Sequence, residues 1–92
     1  MNDEGAELVA IQALGFIAGE DELLTRFLGL TGVEPGDVRG LAGETAFQVA
    51  VLDFLAGNEP DLLRFADHAE MDPEAVIAAR HRLAGPDHAG YD

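Results

Sequence analysis

The chain has 92 residues, which is enough for one hydrophobic core and too few for two. Hydrophobic residues make up 48% and charged residues 25%, a balance typical of a globular domain and not of a disordered acidic tail. The 18 acidic side chains outnumber five arginines, there is no lysine, and the net charge is −13. This charge argues against nucleic-acid backbones and anionic membranes as partners.

Cysteine is absent, which excludes a disulfide scaffold, a thiolate zinc site and a cysteine nucleophile. The first residues are acidic, whereas a signal peptide begins with a basic region. The apolar run from Leu8 to Ala18 is too short to cross a bilayer. We therefore expect a cytoplasmic protein that does not bind membranes.

Glycine and proline divide the chain into segments with helical periodicity, and no segment has the alternating pattern of a strand. The sequence therefore predicts an all-α fold, a compact bundle of six helices. In the first helix, Glu4, Gln12 and Gly15 form only a thin polar stripe, so we expect this helix to be buried. The predicted helices cover about Glu4–Ala18, Asp21–Thr31, Pro35–Gly43, Glu44–Ala56, Glu59–Glu70 and Pro73–Ala84.

Several residues are predicted to fix the helix ends. Gly19 and Gly32 should end the first two helices, with Gly19 in the left-handed conformation. Asn58 and Asp72 have the side-chain oxygens of good N-caps. Residues 86–92, which follow Gly85, have no periodicity and are expected to form a mobile tail. Two hydrophobic staples are predicted, Val33 with Val38 and Met71 with Val76.

The strongest signal is internal similarity, found when the chain is aligned with itself without gaps so that Leu14 falls on Leu52. Between Leu14 and Val38, nine of 25 positions are identical to the residue on which they fall, where composition alone gives about two matches. The matched positions are Leu14, Phe16, Ala18, Gly19, Leu24, Arg26, Phe27, Pro35 and Val38. A duplicated three-helix unit explains the pattern, and so do two similar helical hairpins that share caps and core leucines for physical reasons.

Both explanations predict a single helical domain over residues 1–85, built from pseudo-repeated units of about residues 4–43 and 44–85. Residues that fall on each other in this alignment are called equivalent below. Each unit contains one nearly all-apolar helix that its two short partners cannot cover, so the halves should pack together. The five phenylalanines are expected to dominate the shared core. Gly15 and Gly29 are expected to permit close helix approach.

No recognisable chemistry is encoded. There is no serine, and Thr25, Thr31 and Thr45 have no setting typical of a nucleophile. The acids from Glu20 to Glu22 are typical of the first turn of a helix. The histidines at positions 68, 81 and 88 lack the i, i+3 or i+4 spacing of metal ligands, and no phosphate-binding glycine motif occurs. We therefore predict no enzyme, and no catalytic, cofactor-binding or metal-binding residues.

The arginines have structural and functional interpretations. Arg26 and Arg64, which are equivalent, are candidates for a symmetric pair of anion clamps, although pairing with carboxylates one turn earlier, Glu22 and Asp61, explains them more simply. The basic cluster from Arg80 to Arg82 is expected in the last turn of a helix because of the macrodipole.

Five segments occur in order between Ala13 and Val76, over about two-thirds of the chain: LGFIAG, TGVEPGDV, LDFLAG, LLRFA and MDPEAV. In these segments the chain resembles the small bacterial proteins grouped as domain of unknown function 3572. The resemblance implies a compact helical domain. It implies no activity, because the segments are core and cap signatures.

The function predicted by elimination is a non-catalytic protein interaction module. The acidity of the chain has three explanations: it keeps a small apolar-rich bundle soluble, it attracts a basic partner, or it reflects a composition bias of the whole proteome. A basic protein is one candidate partner. The alternatives are an acidic mimic of nucleic acid, which needs carboxylates with phosphate-like spacing on one surface, and a homo-oligomer, which needs a helix with an exposed apolar stripe.

Overall fold

The computed structural model describes the backbone of residues 1–89 and the side chains of residues 1–85. Within this range the protein is all-helical and has no strand, which confirms the predicted all-α class. The helices are α1 (Asp3–Ala18), α2 (Asp21–Thr31), α3 (Val38–Leu41), α4 (Thr45–Ala56), α5 (Glu59–Ala69) and α6 (Pro73–Ala89), and a 3-10 turn at Pro35–Asp37 precedes α3. The predicted bounds agree with these to within a few residues.

The centre of the fold is formed by α1, α4 and α6, which pack against one another, while α2 lies on α1 and α5 lies on α4. Small side chains on α1 allow this close packing, since Ala6, Ala10 and Ala13 are all buried. The largest fully buried side chains are Phe27, Phe65, Ile17, Leu52, Leu55, Val51 and Val76. One continuous apolar core therefore joins the two halves of the chain, as predicted.

The phenylalanines occupy the centre of this core. The ring of Phe27 lies 5.7 Å from that of Phe47 and 5.3 Å from that of Phe54, both edge-on. The ring of Phe65 lies 5.5 Å from that of Phe16. These centroid distances are in the favourable range for aromatic pairs. Phe16 and Phe54 are partly buried and pack on the core, so all five rings contribute to it.

The predicted N-caps are present. The Asn58 side chain accepts a hydrogen bond from the backbone N–H of Asp61, and the Asp72 side chain accepts one from the N–H of Glu74. The prediction for Gly19 was wrong, because its φ of −81° is right-handed. The N–H of Gly19 donates to the carbonyl of Gly15 and the N–H of Glu20 donates to that of Ile17, so the helical hydrogen bonding continues through Gly19 and the chain turns at the extended residue Glu20.

Left-handed backbone ends two other helices. Gly32 has a φ of 74° after α2, where glycine is predicted. Glu70 has a φ of 56° after α5, a conformation that costs a side-chain-bearing residue free energy. Gly32 and Glu70 are equivalent positions of the two halves.

One substitution at each of these two helix ends should change the free energy of unfolding, in opposite directions. We expect Gly32→Ala to lower the free energy of unfolding by about 1 kcal/mol and Glu70→Gly to raise it by about 0.5 kcal/mol. No atom lies within 4 Å of a Cβ at Gly32, so the first loss reports backbone strain and not crowding. Urea denaturation measures both values. A Gly32→Ala protein as stable as the parent would show that the left-handed conformation is not kept in solution.

The C-terminal helix has a break. Gly85, with φ 85° and ψ 161°, lies at the predicted end of the last helix. Residues 86–89 are helical again, although the lack of periodicity predicted no element there, because a short turn does not need an amphipathic pattern. The predicted mobility of the tail stays a prediction, and residues 90–92 lie outside the described residues.

Candidate functional site

One face of α1 is open to solvent. Leu8 is 60% exposed and Ile11 is 50% exposed, so the expectation of a fully buried first helix was wrong. The physical reason is the short third helix of the first half, since α3 has four residues and covers little of α1. The opposite face of α1, which contains Ala6 and Ala13, is the one packed in the core.

Beside this face lies an apolar groove between α1, the start of α2 and the Pro35–Leu41 segment. It has a volume of about 460 Å³ and is open on one side. We call it the α1 groove, and its lining residues are Ile11, Leu14, Gly15, Ala18, Leu24, Pro35, Val38, Arg39 and Ala42. Eight of these nine residues have no charged or hydrogen-bonding side chain, so the groove offers apolar surface to a ligand.

Small residues keep the groove open. No atom lies within 4 Å of a Cβ built on Gly15 or on Gly29, so the prediction that these glycines permit close helix approach was wrong. At Gly15 the missing side chain instead leaves space in the groove, and Ala18 and Ala42 add little bulk. Glycine within a helix costs up to about 1 kcal/mol against alanine, and no internal packing offsets this cost at Gly15.

A buried glutamine fixes one wall of the groove. Gln48 on α4 is 3% exposed, and its Nε2 donates to the carbonyl of Ala42 at 2.9 Å. This bond holds the end of α3 against α4. Its Oε1 is buried without a hydrogen-bond partner among the described residues. Sequence analysis did not single out Gln48, although it is the one amide in the apolar run of α4.

Exposed carboxylates lie close in sequence to residues that line the α1 groove, although none is itself part of the lining. Asp21 begins the helix that contributes Leu24, and Glu34 and Asp37 flank the Pro35 turn. Glu4 and Glu7 lie on α1 one or two turns before Ile11, on its side of the helix. All five are exposed, and none takes part in an ion pair within residues 1–85. Arg39 is the single cation of the lining and is also without an ion pair in that range.

Arg26 and Arg64 have carboxylate partners, as the simpler interpretation predicted, but the predicted pair of Arg26 with Glu22 was wrong. Arg26 instead binds Asp61 across the bundle, and Arg64 donates to both oxygens of Glu20 at 2.7 Å. The Nη1 of Arg64 also lies 3.7 Å from Asp61, its predicted partner. Asp61 is therefore the shared partner of two arginines from different helices, and it is only 7% exposed.

The same arginines cover aromatic rings in a reciprocal arrangement. The guanidinium of Arg26 lies 5.2 Å from the centre of the Phe54 ring, and that of Arg64 lies 5.6 Å from the centre of the Phe16 ring. Both distances permit a cation–π interaction. The hydrogen bonds and the charge of Glu20 raise the pKa of Arg64 above its ordinary value, so this guanidinium stays charged wherever the protein is folded. Both guanidinium groups are therefore already paired with carboxylates of the same chain.

The two arginines of the basic cluster in α6 also form ion pairs with carboxylates. Arg80 binds Asp53 of α4, and the Nε of Arg82 donates to Asp3 of α1 at 2.6 Å. The macrodipole alone does not account for these contacts, which connect α6 to α4 and to α1. They join residues 27 and 79 positions apart, and local sequence carries no signal for them.

A second, open cavity of about 730 Å³ lies between α1, α4 and α6. Its polar lining comprises Asp3, Glu7, Thr45, His81 and Arg82, of which Asp3 and Arg82 bind each other. Its shape and its mixed charges specify no ligand.

In the part of the chain that the structure describes, the histidines and threonines considered as metal ligands or nucleophiles do not come together in one site. The centre of the His68 ring lies 5.3 Å from that of Phe16, with the two rings tilted by 45°, and the side chain of His88 lies outside the described residues. Thr31 donates to the carbonyl of Phe27 within its own helix. Within the described residues no group of three or more His, Asp or Glu side chains could hold a metal ion.

Comparison of the chain with known proteins gives a match to a family and to no individual protein. None of the described helices combines the length and the hydropathy needed to cross a bilayer. No curated protein and no solved structure is similar enough to the chain to count as a match. The model of one family, described as protein of unknown function (DUF3572), matches residues 3–86. The helical segments that suggested this resemblance thus fall within a match over nearly the whole chain, which belongs to the DUF3572 family.

Proposed function

We propose that this protein is a non-catalytic interaction module that binds another protein through the α1 groove. The observation that carries the proposal is the groove itself, an open apolar surface beside Leu8 and Ile11, two large side chains that a soluble domain of this size gains nothing by exposing. The absence of cysteine fits a cytoplasmic site of action, which is part of the proposal.

The distribution of charge favours this function over a mimic of nucleic acid. Exposed carboxylates occur on α1, α2, α4, α5 and α6, so they are spread over the helices rather than collected on one of them. A mimic needs regularly spaced charges along a single surface. The homo-oligomer has more support, because α1 has the exposed apolar stripe that this alternative requires.

Site-specific photo-crosslinking in the source cells tests the proposal. A photoreactive residue at Ile11 is expected to give one dominant adduct with a different protein, identified by mass spectrometry. The same residue at Leu63, which is 49% exposed on α5, is the control and should give no such adduct. A folded protein that forms no adduct from Ile11, or the same adducts from both positions, would contradict the proposal.

We also infer that the two halves arose by duplication in the register that places Leu14 on Leu52. The reciprocal contacts support this, because each arginine covers the phenylalanine that is equivalent to the one covered by the other. The left-handed ends of α2 and α5 support it as well, because Gly32 and Glu70 are equivalent positions. Similar hairpins that had converged on common caps would not be expected to exchange equivalent contacts.

A further inference from the structure

We propose that the partner element bound in the α1 groove is a basic amphipathic helix of another protein. This inference rests on the proposed function and specifies the chemistry of the partner. Three features of the described surface support it: the spacing of the exposed apolar residues on α1, the carboxylates around the groove, and the absence of an ion pair that closes the equivalent surface of the second half.

The spacing of exposed residues on α1 fits a helix. Leu8, Ile11, Gly15 and Ala18 follow one another at intervals of three and four residues, which places them in one stripe along α1. A second helix packs on such a stripe by inserting its own side chains between these residues, and Gly15 and Ala18 let the two backbones approach closely. A partner strand is not favoured, since residues 1–89 contain no sheet edge to which it could pair.

The charge around the groove selects a basic partner. The groove lining contains one charged residue, Arg39, and the five exposed carboxylates named above lie near lining residues in sequence or along α1. Lysine or arginine residues flanking the apolar face of a bound helix would lie beside Glu4 and Glu7 at one end and beside Glu34 and Asp37 at the other. Such complementarity accelerates association and excludes acidic helices.

The same charge disfavours a second copy of this chain. Two copies, each with a net charge of −13, repel each other before their apolar faces can meet. An antiparallel pair of α1 helices would in addition place Glu4 and Glu7 of one copy close to Glu20 and Asp21 of the other. A basic partner removes both penalties.

The second half of the chain indicates how the groove can be closed. The positions equivalent to Gly15 and Ala42 are Asp53 and Arg80, which form an ion pair between α4 and α6. The positions equivalent to Leu14 and Val38 are Leu52 and Val76, and both are fully buried there. The double variant Gly15→Asp with Ala42→Arg should therefore close the groove and leave the net charge unchanged.

A direct binding measurement tests this inference. The probe is a fluorescent peptide of leucine, alanine and lysine with leucines at helical i, i+3, i+4 and i+7 positions. We expect the closed-groove variant to bind it at least about 10-fold more weakly than the parent at about 0.15 M salt. The control variant, Thr25→Arg with Gly29→Asp, carries the same two charges on the exposed face of α2 outside the groove and should bind like the parent. Circular dichroism confirms that both variants are folded.

Three results would overturn the inference. Equal loss of binding in both variants, or in neither, would mean that the peptide is held by general charge attraction. Tighter binding of a peptide with glutamate in place of lysine would exclude a basic partner. A dimer in sedimentation at micromolar concentration that the closed-groove variant abolishes would identify a second copy as the occupant. If the peptide result is negative while crosslinks from Ile11 to another protein persist, the interaction module stands and only the basic helix is excluded.

Discussion

Replacing Phe65 by alanine is expected to remove about 3 to 5 kcal/mol from the free energy of unfolding. Phe65 is fully buried and its ring packs on Phe16, so the substitution leaves a cavity as well as losing apolar contacts. A domain of this length has about 5 to 14 kcal/mol in total, and the variant should be close to unfolding at 37 °C. Urea denaturation followed by circular dichroism gives the value.

Phe27→Ala should lower stability by a similar amount, since Phe27 is equally buried and contacts two further rings. Phe65→Leu keeps most of the volume and should cost less than about 1.5 kcal/mol. An alanine variant that loses less than about 1 kcal/mol would mean that the core can collapse around the missing ring, and the packing described above would be wrong.

Asp61→Asn is expected to lower the free energy of unfolding by about 2 kcal/mol. The variant keeps the shape of the side chain and removes the carboxylate that binds Arg26 and lies near Arg64. The loss should be smaller than for a fully buried pair because both arginines are about half exposed and can turn toward water. Thermal and urea denaturation measure it.

Glu20→Gln is the matched control for this substitution. Its carboxylate binds Arg64 in a more exposed position, so the loss should be clearly smaller than for Asp61→Asn. If the two substitutions had equal effects, burial of Asp61 would contribute nothing, and the shared carboxylate would be an ordinary surface group.

The helix bounds were predictable because local rules determine them. Asn58 and Asp72 cap helices through side chains that reach backbone only two or three residues away. Gly32 ends α2 because a left-handed residue is needed there. The buried phenylalanines were predictable as well, since the largest apolar side chains in a small chain have few other places to lie.

The partners of the arginines were predicted only where they are local. Asp61 lies one turn before Arg64 and was found, whereas the bond from Arg26 to Asp61 spans 35 residues and depends on how α2 and α5 are placed. For Arg26, spacing along the helix points to Glu22 because it can indicate only a helical neighbour as the partner.

The α1 groove could not be predicted from the periodicity of α1. An apolar helix surface is buried or exposed according to what covers it, and the length of α3 is set by the turn at Pro35 and by Glu44 before α4. One signal was present in the aligned halves: Gly15 and Ala42 lack the charged side chains found at their equivalents, Asp53 and Arg80. These two mismatches mark a surface that an ion pair closes in the second half and that stays open in the first.

The packing of α6 on α1 also sets an order of events during synthesis. Of the six described helices, α1 leaves the ribosome first, and α6, which covers it, is made last. At translation rates of about 5 to 20 residues per second, Ala10 waits roughly 3 to 14 seconds before Ala79 exists to complete the core. In that interval the nascent chain exposes the apolar residues of α1 that α6 later covers, and its many carboxylates are then the main protection against aggregation.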